Sequence, residues 1–534
     1  MFLSRCGLVR ELFILSIRLR KAMLFMAIRV LILVLFFVVT IAVGIYYRNQ
    51  TSSVSDFVLG GRTIGPWLSA LTYGVSYFSA IVFVGFAGQF GWRFGTSAIW
   101  IGLGNAFIGS LMAWFVLGKR TRVMTNHLNS ATMPEFFFAR YGSSALKIGA
   151  AIIIFIFMIP STAALYNGLS RLFAMAFGFD FIYVILAMSV LTAVYVVIGG
   201  LFATSVNNLI QGAIMLVGIV AIVAAVLIDN GGFTAAMQSL ARVEAAETAL
   251  MPGAFTSFFG PDPISLLGVV IITSLGTWGM PHMVARYYSI QSADHITKGA
   301  VISTAFALVV AFGSYFIGSF GRLYSDVVEV SPDGGVVFDS IIPAMLSQFS
   351  DVLIGLVILT VFAASISSLA VMVMASASTL TLDFFKGHIV KNMGDKTQLF
   401  FIRILIVVFI AISAVIAIWQ YRGGLAFIAQ LMGISWGAMA GSFLAPLLYG
   451  LFWKRVSIAS VWCCYIFSTG LMILNMFFRS AFPAILQSTL NLGAFTILAG
   501  LIIVPVVSVL TKSPNKAHLE SCFSCFKSIL QEKK

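Results

Sequence analysis

The stretch PWLSALTYGVSYFSAIVFVGFAGQFG, Pro66 to Gly91, is long and apolar enough to cross a membrane as a helix, yet its middle is small and hydroxyl-rich. Thr72, Gly74, Ser76 and Ser79 fall at the depth where hydrocarbon surrounds a simple span. Backbone polar groups at that depth must be satisfied internally, so an interrupted helix is tolerated only where it is buried in protein or lines a cavity. The stretch SLGTWGMPHMVARYY, Ser274 to Tyr288, repeats the feature. Gly276, Gly279 and Pro281 lie within six residues, and the proline removes a backbone donor and clashes with the preceding turn.

Outward from these two stretches, the 534-residue chain is 60% hydrophobic and 9% charged, with a mean hydropathy of +1.04, values that mark a polytopic membrane protein. Thirteen stretches of about 20 apolar residues are long enough to cross a ~30 Å hydrocarbon layer. They run near 22–47, 66–90, 96–118, 144–174, 180–200, 204–228, 262–286, 300–321, 352–376, 399–420, 424–451, 456–478 and 491–511. The fold class expected is therefore an all-α integral membrane domain over residues 30–511. A basic tail (1–29) precedes it and a short cytoplasmic tail (512–534) follows. The two interrupted spans are the first and sixth after the leading one. An inverted repeat of five plus five helices places its discontinuous helices there, with solute and ion bound between them at mid-membrane. Packing through small residues is the simpler alternative for either interruption alone.

The net charge of +14 comes from short basic clusters between spans, such as Lys119 to Arg122, and so reads as membrane topology and not as nucleic-acid binding. With the N-terminus outside, inner connections and the C-terminal tail hold 20 Lys and Arg and outer connections hold six. The two long outer loops are acidic, with Glu244, Glu247 and Asp262, then Asp326, Glu329, Asp333 and Asp339. The orientation expected is N-out, C-in. The six basic residues of the first 29 oppose it, which suggests translation from Met23 or Met26, or an amphipathic tail. Cys522 and Cys525 form a lone CxxC, read as structural or incidental, because a metal site would need a second pair.

In the ninth span, VFAASISSLAVMV (Val361 to Val373) carries Ser365, Ser367 and Ser368. An isolated serine in a helix usually bonds back to a carbonyl one turn earlier. The adjacent Ser367 and Ser368 point about 100° apart and are able to flank one object. Neutral hydroxyls with carbonyls freed by the broken second span suit a sodium ion, a hard cation that must bind and leave.

The runs DFVLGGRTIGPWLSALTYGVSYFSA (Asp56 to Ala80), YVVIGGLFATSVNNLIQ (Tyr195 to Gln211), AASISS (Ala363 to Ser368) and GSFLAPLLYGLFWKR (Gly441 to Arg455) together resemble the sodium:solute symporter family. The resemblance extends in order over roughly residues 30 to 510. It implies a LeuT-like fold with 13 transmembrane helices, broken in spans two and seven, that couples sodium entry to solute uptake by alternating access in the plasma membrane. It places the main sodium site on the carbonyls of Val75, Phe78 and Ala364 and the hydroxyls of Ser367 and Ser368. Where many members carry a Thr-Asp pair after the GGL motif, this chain has Asn207-Asn208. Where members with a second cation site carry further serines, it has Leu369, Ala370 and Val371. One sodium per cycle is expected.

PHMVAR (Pro281 to Arg286) looks like the proline, pantothenate and monocarboxylate branches, and the stretch around Gly60 to Arg62 most like the proline branch. Aromatic positions of the proline transporters fall here on Thr273, Thr277 and Ser161. A solute bearing a carboxylate is expected, held by helix termini, hydroxyls and the sodium ion, because no Lys or Arg sits at mid-span. Candidate solute residues are Ser76, Tyr77, Ser79, Ser161, Thr273, Thr277, Trp278, Pro281, Gln430 and Trp436.

Other classes fit less well. An intramembrane protease needs a Ser–His pair or HExxH, and His127, His282, His295, His388 and His518 read as span ends or loops. A passive channel would share the ion site but carry flux without a sodium gradient. The tail after residue 511 is too short for a sensor domain, and no GxxxxGK[ST] phosphate loop is present.

Overall fold

Glycine and proline divide the apolar sequence into helices. The computed structural model describes residues 30–31, 33–47, 53–243, 253–332, 334–386, 389–390, 393–423 and 427–526. The tail before residue 30, His388 and the loop acids Glu244, Glu247 and Asp333 lie outside them. The main helices are α1 (Leu33–Tyr47), α2 (Pro66–Tyr77), α3 (Ile81–His127), α4 (Ser144–Phe177), α5 (Phe181–Asp229), α6 (Pro263–Gly279) and α7 (Pro281–Ser289). They are followed by α8 (His295–Ser319), α9 (Asp351–Phe385), α10 (Asp395–Arg422), α11 (Ile428–Phe452), α12 (Ile458–Phe477), α13 (Thr489–Leu510) and the short α14 (Lys516–Phe523). Among the described residues no strand forms, only isolated bridges such as Ile64 with Ile290.

Nine of these helices are long and apolar enough to cross a membrane, or ten if the bent pair α6–α7 is one span. Two are far too long for one crossing. A straight helix of the 49 residues of α5 would reach ~70 Å, more than twice the hydrocarbon thickness. Gly200, at φ 61° and ψ −174°, turns the chain inside α5, and Gly95, at φ 61° and ψ −139°, does the same inside α3. Such backbone is open to glycine because it has no Cβ.

Over its most apolar stretch α11 is 83% buried and α9 78%, against 39% for α5, α10 and α12. The serine-bearing helix is thus central. Close approach is built in at Gly91 of α3 and Gly318 of α8, where an added Cβ would stand about 2 Å from backbone atoms of the facing helix.

Candidate functional site

The helix that opens at Pro66 ends at Tyr77. Phe78 is extended (φ −103°, ψ 106°), and its N–H makes the last backward bond, to the Gly74 carbonyl at 3.2 Å. The chain leaves the ladder there, before the Ser79 N–H can bond back to Val75. Helix resumes when the N–H groups of Val82 and Phe83 bond to the Ser79 carbonyl at 2.9 and 3.0 Å. A strip of carbonyls near Val75, Ser76 and Phe78 is so released deep in the protein, where all three residues are buried.

Helix α9 faces that strip. The Ser368 hydroxyl donates at 3.1 Å both to the Ser76 carbonyl of α2 and to the Ala364 carbonyl one turn back. Ser367 is buried, and its hydroxyl has no partner among the described residues. Ser365 has a different duty: it donates to Val361 at 2.6 Å and accepts the Ala80 N–H at 3.2 Å, so it caps the restart of the broken helix. Of three serines, one is committed to architecture, one bridges the break and one is unspent.

Next to the break, a cavity of about 10 Å³ has Ser76, Tyr77, His282 and Trp436 in its lining, together with Met283, Met372 and Met432. That is room for about one water, so a solute enters only if these walls part. Tyr77 stacks on Phe78 (centroids 4.5 Å apart), lies 6.3 Å from the Trp436 ring and donates to the Thr273 carbonyl. The Trp436 indole N–H has no partner among the described residues.

The remaining candidates lie elsewhere. The Thr273 hydroxyl bonds back to Val269 within α6, whereas Thr277 donates to Gly109 at 3.1 Å and the Trp278 indole donates to Ile108 at 3.0 Å, so these two are spent on helix packing against α3. Ser161 is hydrogen-bonded to Ser435, tying α4 to α11. The Gln430 carbonyl accepts from Thr489 at 3.2 Å, near the start of α11. Pro281 opens α7 after the extended Met280, at a bend of 45° between α6 and α7. Asn207 donates to the Thr40 carbonyl at 3.2 Å and to the Tyr195 hydroxyl at 3.4 Å, while neither polar atom of Asn208 has a partner among the described residues.

Of the five histidines the sequence singled out His282 alone, for its place beside a hydroxyl-rich span, but gave it no part in solute binding; it is buried and lines the cavity. The methionine walls carried no signal at all, because 22 methionines are spread along the chain.

At the start of α11 a buried aspartate holds a loop. Asp339 Oδ2 accepts the Ile428 N–H at 3.1 Å, at the first residue of α11. Burial pushes its carboxyl from 3.8 up to about 6, and Arg171 and the Ile428 N–H offset this only in part. A carboxyl raised in the docked state favours docking at low pH, and that contribution is lost as pH rises through about 4 to 6. Amide exchange over Phe338 to Leu346, corrected for its intrinsic rate, is therefore expected to quicken across that window. Asp339→Asn should flatten the profile, and a variant that keeps the slope would assign it to another group.

The sequence is similar to known transporters. The family model for the sodium:solute symporter family matches residues 57–466. The osmoregulated proline transporter OpuE of Bacillus subtilis is 26% identical over 507 residues, covering 94% of this chain and 98% of that one. A sodium/proline symporter of Staphylococcus aureus is 26% identical over 515 residues, covering 94% and 96%. In structure the chain is similar to a sodium-coupled sialic acid symporter, solved in a substrate-bound outward-open state, with a TM-score of 0.71 and 18% identity over 92% of this chain and 99% of that one. The released carbonyls opposite the serines of α9 thus belong to a protein matched along most of its length, and the chain is a member of the sodium:solute symporter family, transporters and not enzymes, in which sodium is the co-transported ion.

Proposed function

We propose that the protein imports a small carboxylate-bearing solute, proline or a related amino acid, with one sodium ion per cycle by alternating access. The observation that carries this reading is the Ser368 hydroxyl on the freed Ser76 carbonyl, which joins the broken α2 to α9 beside a closed cavity. The sodium ion takes the carbonyls of Val75, Phe78 and Ala364 with the hydroxyls of Ser367 and Ser368. All are neutral oxygen donors, which suit a monovalent hard cation. Neutral Asn207 and Asn208, the first already bonded to Thr40, speak for a single ion.

Proline is supported by the relatives named for it and by the Tyr77 and Trp436 rings, flat walls for a pyrrolidine. Pantothenate and small monocarboxylates are the second choice, favoured by the PHMVAR run and by Thr273 and Thr277, where proline transporters carry aromatics.

We read the helices as thirteen spans of a LeuT-like inverted repeat, a reading supported by the turns at Gly95 and Gly200 when α1, the α2–α3 break and the α6–α7 bend are counted once each. The basic inner connections set the N-terminus outside and the C-terminus in the cytoplasm of a plasma-membrane protein.

The test is uptake of radiolabelled proline into proteoliposomes. Accumulation is expected only with an inward sodium gradient and should collapse when sodium is equal on both sides. Uptake indifferent to the gradient would make the protein a passive channel. No accumulation of proline, with sodium-driven accumulation of radiolabelled pantothenate or acetate in the same vesicles, would move the substrate to the second choice.

A further inference from the structure

Arg286 lies one helical turn beyond His282 on α7. Its side chain is only 1% exposed, and Nε, Nη1 and Nη2 have no hydrogen-bond partner among the described residues. A desolvated guanidinium without acceptors is among the costliest groups a membrane protein can hold. Arg140, the other buried arginine among the described residues, is treated differently: it donates to the carbonyls of Gly450, Trp453 and Lys454.

The guanidinium borders a cavity of about 40 Å³ shared with Thr132, Pro281, His282, Ser378 and Thr379. His282 lines both this cavity and the central one beside Tyr77 and Trp436, and so is shared by the two. The His282 Nδ1 atom likewise has no partner among the described residues. A guanidinium offers donors in a planar fork and no acceptor, a geometry matched by a carboxylate.

We propose that Arg286 forms an inner relay site for the carboxylate of the transported solute. When the central walls part toward the cytoplasm, the carboxylate passes His282 and is held by the Arg286 fork before release. The same positive charge disfavours a sodium ion in this cavity, so the two cargoes separate at this point. The inference rests on the symport reading above and adds a second station to it.

Counterflow in proteoliposomes of known orientation reads the site from the inside. Arg286→Gln is expected to raise the internal half-saturation for proline roughly 10- to 100-fold, the effect of one charge-assisted hydrogen-bonded pair. The external sodium half-saturation should stay within about twofold, and Arg286→Lys should recover part of the loss, since an ammonium keeps the charge but not the fork. An unchanged internal half-saturation overturns the proposal.

A second readout does not need proline. Sodium acetate is expected to raise the melting temperature of the intact protein above that in sodium chloride at equal sodium, and to lose that advantage in Arg286→Gln. Equal protection by acetate and chloride overturns the carboxylate site, as does acetate protection that survives the variant. If proline is not carried while acetate still protects through Arg286, the substrate reading fails and the relay site stands. Should Arg286→Gln not fold, Ala285→Leu narrows the same cavity without touching the charge, and retained acetate protection there overturns the proposal.

Discussion

Removing both hydroxyls, with Ser367→Ala and Ser368→Ala together, is expected to abolish sodium-driven uptake and sodium's protection against thermal unfolding. Each hydrogen-bonding group that serves a charge is worth about 1.5–3 kcal/mol, or roughly 10- to 100-fold in affinity, so losing two weakens sodium binding by about 100- to 10,000-fold. The single variants divide the effect. Ser367 has no protein partner among the described residues, so Ser367→Ala should weaken sodium while leaving the sodium-free melting temperature unchanged or slightly raised. Ser368→Ala also cuts the bridge to Ser76 and should lower both. Ser365→Ala is the control: it strips the cap from the Ala80 N–H, costs about 1 kcal/mol of stability and leaves the sodium half-saturation alone. A Ser367→Ala protein with normal sodium dependence would sink the assigned ion site.

The second large effect concerns stability. Asp383, near the end of α9, has no exposed side-chain surface; it pairs with Lys147 of α4 at 3.2 Å and accepts the Thr132 hydroxyl at 2.6 Å. Lys147 is 15% exposed, so solvent screens the pair little. Breaking such a pair by removing one partner leaves a buried charge uncompensated and costs about 3–5 kcal/mol, more than the pair itself contributes. Lys147→Met, which keeps the length of the side chain, is expected to lower the melting temperature in detergent sharply. Lys147→Met with Asp383→Asn should recover more than half of the loss, because the amide oxygen still accepts from Thr132 and no charge remains. If the double variant is no better than the single one, the loss lies in packing and not in charge.

The places where the chain breaks its helices were legible because they depend on local chemistry. A proline and two glycines within six residues cannot continue a regular helix, and the α6–α7 bend at Met280 follows. The extended Phe78 follows less directly, since Gly74, Ser76 and Ser79 permit a break without demanding one. Ser368 was singled out by its neighbour Ser367. Ser365, equally conspicuous, proved to be a cap, and nothing within the ninth span separates the two roles. The difference lies in what stands opposite: the Ala80 N–H in one case and the Ser76 carbonyl in the other.

By itself, then, the sequence determined that this is a membrane-spanning helical protein, roughly where its spans lie, and which of them carry polar groups at depth. Those properties follow from composition and from the backbone needs of each segment alone. Only the tertiary structure decided which polar groups meet. Thr277 and Trp278 turned to the backbone of α3, His282 came to line two cavities, Arg286 was left without an acceptor among the described residues, and Asp339 reached the first residue of α11. The physical reason is the solvent. Lipid is as apolar as a protein core, so hydropathy does not tell a lipid-facing side of a helix from a buried one, and the facing of each span is set by packing against its neighbours.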